Sequence, residues 1–158
     1  MRRLLFLAVL AFLAFPAASG ARERSPSDGT LSVRDGRGVI VVSARGGVIG
    51  SFAQGKITIV DPIDGDGTGP IITGESWSRD LSDTTTTWGG KKVRFRLIGG
   101  YFKIRVVGRG INLSVVGKGT ATLNGAGTLD DGSFAVNGSD YLAIPDLPVT
   151  FVLAAPSP

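Results

Sequence analysis

The chain contains neither cysteine nor histidine among its 158 residues. Without cysteine it can form no disulfide and can use no thiol nucleophile, so its stability has to come from packing. Without histidine it lacks the base of the common catalytic triads and the imidazole ligand of the commonest zinc sites. No Gly-x-Ser-x-Gly elbow or dinucleotide-binding fingerprint is present either. We therefore predict that the protein is not an enzyme.

Long apolar runs are also scarce, and the clearest one lies at the N-terminus. A basic tripeptide precedes twelve apolar residues, Leu4 to Phe15, which are followed by small residues up to Ala21. This is the pattern of a cleavable secretory signal peptide, and the apolar run is too short to span a bilayer comfortably. We expect residues 1–21 to be removed and residues 22–29 to be a disordered lead-in. Residues 30–158 would then form one secreted, extracellular or envelope-held domain without a transmembrane segment.

Glycine, by contrast, is abundant, with 24 residues. Glycine-containing dipeptides suited to tight turns recur along the chain, and apolar and polar residues alternate in the segments between them. No segment after residue 21 shows a convincing helical period. The pattern predicts an all-β domain, a sandwich or barrel of about 9–11 short antiparallel strands. A weak internal repeat accompanies it, because G-R-G occurs at residues 36–38 and again at residues 108–110.

The most informative segment is K-V-R-F-R-L-I-G-G-Y-F-K-I-R-V-V, residues 92–107. Apolar and basic residues alternate on both sides of the glycine pair, which predicts a β-hairpin with one apolar and one cationic face. Like charges directly opposite each other destabilise a sheet by about 0.2–1 kcal/mol per pair, so negatively charged groups have to lie near them. The predicted pairs are Leu97 with Phe102, Phe95 with Ile104, Val93 with Val106, Arg96 with Lys103, and Arg94 with Arg105.

The cationic face has two possible partners. Acidic segments of the same chain could fold over it, since six carboxylates lie between Asp61 and Asp83 and four between Asp130 and Asp146. The alternative is an external polyanion such as a cell-wall polymer, an acidic polysaccharide or anionic lipid headgroups. Nucleic acid fits less well, because Tyr101 is the single nearby ring for base stacking. The candidate anion-binding residues are Lys92, Arg94, Arg96, Lys103 and Arg105.

A second candidate site is D-G-D-G-T-G-P-I-I-T-G-E, residues 64–75, which resembles the calcium loop of EF-hand proteins. In that family, side chains at loop positions one, three, five and twelve supply oxygen ligands. The resemblance implies calcium bound by Asp64, Asp66, Thr68 and Glu75, with the carbonyl of Pro70. The segment departs from the family in having threonine at position five and no flanking helices. The alternative is a solvated acidic turn.

The connection from Asp61 to Gly90 is predicted to be long and irregular, and it contains both tryptophans. Trp77 and Trp88 would either plug an open end of the domain or form a sugar-stacking platform with Tyr101. Carboxylates of this region could also serve a hydrolase, which is the most distant of the functional hypotheses.

Much of the mature chain also resembles a known group of proteins. The run R-F-R-L-I-G-G-Y-F-K-I-R-V-V-G-R-G-I-N-L-S-V-V-G-K-G, residues 94–119, is similar to uncharacterised secreted bacterial glycine-rich β-domain proteins, as is T-L-N-G-A-G-T-L-D-D-G-S-F, residues 122–134. The resemblance implies secretion and an all-β fold without assigning a site. The sequence thus predicts a monomeric binding or structural module at the cell envelope, with a calcium-stabilised domain as the alternative.

Overall fold

The computed structural model describes residues 27–155, and over this range the chain forms strands, turns and irregular loops without a helix. All strand pairs are antiparallel, and the sheet order is β2-β3-β1-β4-β5, with β6 paired to β3. The predicted all-β class is therefore confirmed. The strands are β1 (Gly29–Val60), β2 (Gly67–Ser82), β3 (Thr85–Ala126), β4 (Ser133–Val136), β5 (Leu142–Ala143) and β6 (Val149–Leu153).

Two N-terminal predictions cannot be compared with this structure. The signal peptide, residues 1–21, and residues 22–26 of the lead-in lie outside the described residues. Within the described range, no helix is long and apolar enough to cross a membrane.

Two strands make up most of the molecule, since β1 has 32 residues and β3 has 42. A strand rises about 3.3 Å per residue, so a straight β1 would extend about 105 Å, several times the expected radius of a domain of this length. Both strands must therefore bend while they keep the β conformation. The many short strands predicted from the sequence are instead consecutive parts of these two long ones.

The two long strands coil around each other, because β1 pairs with β3 along both of its edges. Ile57 lies between Trp88 and Val106, two residues of β3 that are 18 positions apart. Val106 in turn lies between Ile57 and Ile40 of β1, which are 17 positions apart. The two-stranded ribbon thus meets itself again after roughly 60 Å of chain. We call β1 and β3 together the coiled ribbon.

One face of the coiled ribbon is buried along most of its length. Buried and exposed residues alternate in both strands, as the period-two pattern predicted. Burying each of these apolar side chains contributes about 1.5–3 kcal/mol, so the hydrophobic effect holds the ribbon closed on itself. The fully buried residues include Ile40, Val42, Phe52, Ile57, Ile59, Phe102, Ile104, Val106, Ile111 and Leu123.

Glycines line one of the bends of the ribbon. A Cβ atom added at Gly108 would overlap the carbonyl oxygen of Gln54 and crowd the Cα of Gly55. Backbones can therefore approach here more closely than side chains would permit. The two G-R-G segments meet at this bend, because Gly38 and Gly108 lie directly opposite each other. The successive neighbours across the strands are Gly125, Gly38, Gly108, Gly55 and Gly90, which we call the glycine row.

The predicted hairpin at Gly99-Gly100 is wrong. β3 passes through this position without reversing, and Leu97 pairs with Val48 of β1, while Phe102 pairs with Ala44. Both glycines have positive φ values, 77° and 73°, which bend the strand. A glycine pair permits either a turn or a bend, and here the distant β1 pairs with the segments on both sides.

The region between Asp61 and Gly90 also differs from its prediction. Only residues 61–66 and 83–84 lie outside strands, and β2 occupies most of the interval. β2 pairs with β3 at the edge of the sheet and buries little, since only Pro70 and Ile72 are even partly shielded. The sequence did not predict this strand because the segment is largely polar. An edge strand can be exposed on both faces and then lacks the apolar alternation that marks a buried face.

Candidate anion-binding surface

The five cations of the predicted basic face are all exposed, but they do not form one ladder. Arg94 and Arg96 lie between β1 and β2. Arg96 is flanked by Ile49 and Ile71, and the residues flanking Arg94 are Ser51 and Thr73. These two arginines therefore share one patch of the outer surface.

Lys103 and Arg105 lie between two passes of β1. Lys103 is flanked by Ser43 and Val60, and Arg105 by Val41 and Thr58. Neither residue has a neighbour in common with Arg94 or Arg96. The predicted pairs Arg96–Lys103 and Arg94–Arg105 are therefore wrong, because they required the hairpin, and the cations belong to two separate areas.

The fifth cation, Lys92, lies at an irregularity of β3. Its φ of 57° is in the left-handed region, which is uncommon for a residue other than glycine. The normal alternation is interrupted there, so both Lys91 and Lys92 are exposed. Residues held in this conformation often belong to functional sites.

Carboxylates of the described residues do not neutralise these cations. The ion pair found between residues 27 and 155 joins Arg45 Nη2 to Asp66 Oδ2 at 3.4 Å. The same Asp66 oxygen accepts a hydrogen bond of 3.0 Å from the backbone N–H of Tyr101. The acidic segments therefore do not cover the predicted cations within this range, and the charges face solvent.

A shallow groove of about 500 Å³ lies beside Arg94 and Arg96. Its floor is partly aliphatic, with Ile49 and Ile71 exposed to 59% and 43%. Directly opposed residues on successive strands form two rows across it, which we call the arginine groove. The first row is Ser32, Ser114, Ile49, Arg96 and Ile71, and the second is Asn112, Ser51, Arg94 and Thr73.

The arginine groove combines three kinds of chemistry. Guanidinium groups bind carboxylate, sulfate or phosphate with paired hydrogen bonds. Serine and threonine hydroxyls of the groove can donate to and accept from hydroxyl groups, whereas the Asn112 amide bonds to the backbone of Asp35 and Gly110. The exposed isoleucines can cover apolar parts of a ligand. The surface therefore has the means to hold a ligand that is both hydroxylated and negatively charged.

Sequence reasoning missed a second cationic cluster, which lies at the glycine row. Arg37 and Arg109 are directly opposite each other, and Arg109 Nη2 donates a 2.6 Å hydrogen bond to Gln54 Oε1. Lys91 lies opposite Gln54 on its other side. No carboxylate of the described residues forms an ion pair with these three cations. The G-R-G repeat was the available signal, since it marks both arginines.

The four residues of the calcium-loop hypothesis are not brought together. Asp64 and Asp66 precede β2, whereas Thr68 and Glu75 lie within it. The extended chain between Thr68 and Glu75 spans on the order of 23 Å, so these oxygens cannot surround one ion. No group of three or more acidic, histidine or cysteine residues between positions 27 and 155 is placed to hold a metal.

The tryptophans are placed differently from each other. Trp88 packs against the buried core, whereas Trp77 lies on the outer surface over Gly89, where an added Cβ would overlap its ring. Tyr101 is also separate, and its hydroxyl hydrogen-bonds to the Ser43 hydroxyl at 2.8 Å. The structure does not bring the three rings together as one stacking platform.

Comparison of the chain with protein-family models, with curated proteins and with solved structures gives no match. The function must therefore be inferred from the geometry and chemistry of the surface.

Proposed function

We propose that the protein is an exported, non-enzymatic β-domain with a sandwich-like folded sheet, which binds an anionic polymer of the cell envelope in the arginine groove. The observation that supports it is the exposed pair Arg94 and Arg96, which has no ion-pair partner among the described residues. An acidic polysaccharide would satisfy the guanidinium groups with its anionic groups and the hydroxyl-bearing rows with its own hydroxyls.

The spacing of the two arginines suits a polymer better than a single small anion. Two residues apart on one face of a strand, Arg94 and Arg96 have Cα atoms about 6.7 Å apart. Each can therefore contact a different charged group of one chain. Hydroxyl side chains on the neighbouring strands extend the contact sideways, which favours an extended ligand lying across the sheet.

The test measures binding of the full chain to polygalacturonate and to polyphosphate, with neutral dextran as the control polymer. The groove variant is Arg94→Glu/Arg96→Glu, and the matched control is Lys103→Glu/Arg105→Glu, which changes the net charge equally. Losing charged hydrogen bonds should weaken binding about tenfold or more in the groove variant. The control should lose much less, and both should respond to added salt.

Two outcomes would contradict the proposal. Equal losses in the two variants would mean that overall charge, rather than the groove, attracts the polymer. Wild-type protein that binds neither polyanion more tightly than dextran would remove anionic polymers as the ligand class.

A further inference from the structure

The cationic cluster at the glycine row lies near the arginine groove and continues its charge. The outer surface next to Arg94 also contains Lys92, and the two residues line the same hollow together with Asn112. Lys91, the residue before Lys92 in sequence, lines the next hollow with Gln54. From Gln54 the surface continues to Arg109 and Arg37, which line a further hollow. Exposed cations therefore follow one another from the groove across the bend.

The length of this path follows from the strand geometry. From Arg96 to Lys91 it runs along β3 for about 16 Å, and from Lys91 to Arg37 it crosses three strand spacings, about 14 Å. The total is about 30 Å. A trimeric ligand could occupy the groove, but only a longer chain could reach Arg37 and Arg109 as well.

Two local features indicate that the far end is prepared for an anion. Arg37 and Arg109 are like charges in directly opposed positions, an arrangement that is unfavourable unless a negative group lies between them. The side-chain amide oxygen of Gln54 accepts the 2.6 Å hydrogen bond from the Arg109 guanidinium. This bond limits the conformational freedom of the Arg109 side chain before a ligand binds.

We infer that the protein binds its polymer along a continuous track that begins at Arg96 and Arg94, passes Lys92 and Lys91 over the glycine row, and ends at Arg109 and Arg37. The ligand class is a linear polyanion long enough to span about 30 Å. This inference rests on the proposed function, because it extends the same site. The track would also select polymers by length, because each additional cation raises the affinity only for a polymer long enough to reach it.

A carboxylate, that of Asp35, lies beside the track. Asp35 lines the hollow that contains Lys92 and Arg94, and its backbone N–H donates a 3.2 Å hydrogen bond to Asn112 Oδ1. A negative charge at this position opposes a polyanion in the middle of the path. Removing the charge without changing the side-chain shape, by Asp35→Asn, should therefore strengthen binding of a long polymer.

The experiment compares short and long forms of the same polyanions, trigalacturonate with polygalacturonate and tripolyphosphate with long-chain polyphosphate. The bend variant is Arg37→Ala/Arg109→Ala, and the matched control is Lys103→Ala/Arg105→Ala. We expect the bend variant to bind long chains about tenfold more weakly and short chains within about twofold of wild type. The control should change neither. Folding of each variant is checked by circular dichroism and thermal unfolding.

The outcomes separate this inference from the proposed function. If the groove variant weakens binding but the bend variant leaves long-chain binding unchanged, the track is wrong and the arginine groove remains the site. If the bend variant weakens short and long chains equally, or if the control loses as much, selection by length is wrong. If neither the groove nor the bend variant weakens binding, both the inference and the proposed function fail.

Discussion

The coiled ribbon and the edge strand β2 belong to one sheet but differ in how their side chains and glycines are packed. In β1 and β3 alternate side chains are buried, and glycines are packed against neighbouring backbones. In β2 almost every residue is exposed, and one of its glycines, Gly69, faces open space. The difference teaches that the fold depends on the buried side chains of the ribbon much more than on the side chains of β2.

Glycine substitutions should show the largest difference between the two regions. Gly108 lies against the Gln54 carbonyl, whereas a Cβ added at Gly69 of β2 meets no atom within 4 Å. Neither residue has a φ in the left-handed region, so the contrast is one of space alone. We expect Gly108→Ala to lower the free energy of unfolding by about 3 kcal/mol or to prevent folding, and Gly69→Ala to change it by less than about 0.5 kcal/mol.

The measurement is urea unfolding followed by circular dichroism. A Gly108→Ala protein as stable as Gly69→Ala would show that the strands can move apart at the glycine row, and the bend would then lose its explanation.

Leucine truncations should give a difference of comparable size. Leu123 of the ribbon is fully buried, whereas Leu81 of β2 is 56% exposed. Leu123→Ala removes buried apolar surface and leaves a cavity, which costs about 2–5 kcal/mol. Leu81→Ala should cost less than about 1 kcal/mol. Thermal and urea unfolding of the two variants would test this, and equal losses would mean that β2 contributes to the core as much as the ribbon does.

Calcium should have the smallest effect. Because Glu75 lies in extended β2 away from Asp64 and Asp66, we expect the same unfolding midpoint in calcium and in EGTA. Thermal unfolding in both buffers, with Asp64→Asn as the control, makes the test. A midpoint that rises with calcium in the wild type but not in Asp64→Asn would show that β2 can leave the ribbon and form the loop that its sequence resembles.

The sequence predicts local features of the fold well and distant ones poorly. Alternating residues such as Val93, Phe95 and Leu97 indicate strand and buried face without any knowledge of the partner. The glycine pair at 99–100 does not indicate whether the chain turns or only bends, because both need the same backbone freedom. That choice is made by β1, whose Val48 pairs with Leu97.

The candidate site was predictable to the same extent. The alternation shows that Arg94, Arg96, Lys103 and Arg105 face outward. It does not show that Arg94 and Arg96 share the arginine groove while Lys103 and Arg105 lie elsewhere, because pairing across long intervals decides the neighbours. Arg37 was missed because it lies opposite Arg109 only through the pairing of β1 with the distant β3.

The pairing of β1 has a consequence for how the chain acquires its structure. Gly29 pairs with Gly117. At the other end of β1, the partner that is closest in sequence to Val60 is Thr85. Contacts of such high sequence separation make folding slow, commonly milliseconds to seconds. A long loop must close, with a loss of conformational entropy, before the contacts between its ends can stabilise the chain. β1 is synthesised before the strands it pairs with, β3 and β4. A nascent chain therefore carries a long unpaired strand that is exposed to aggregation until β3 has been made.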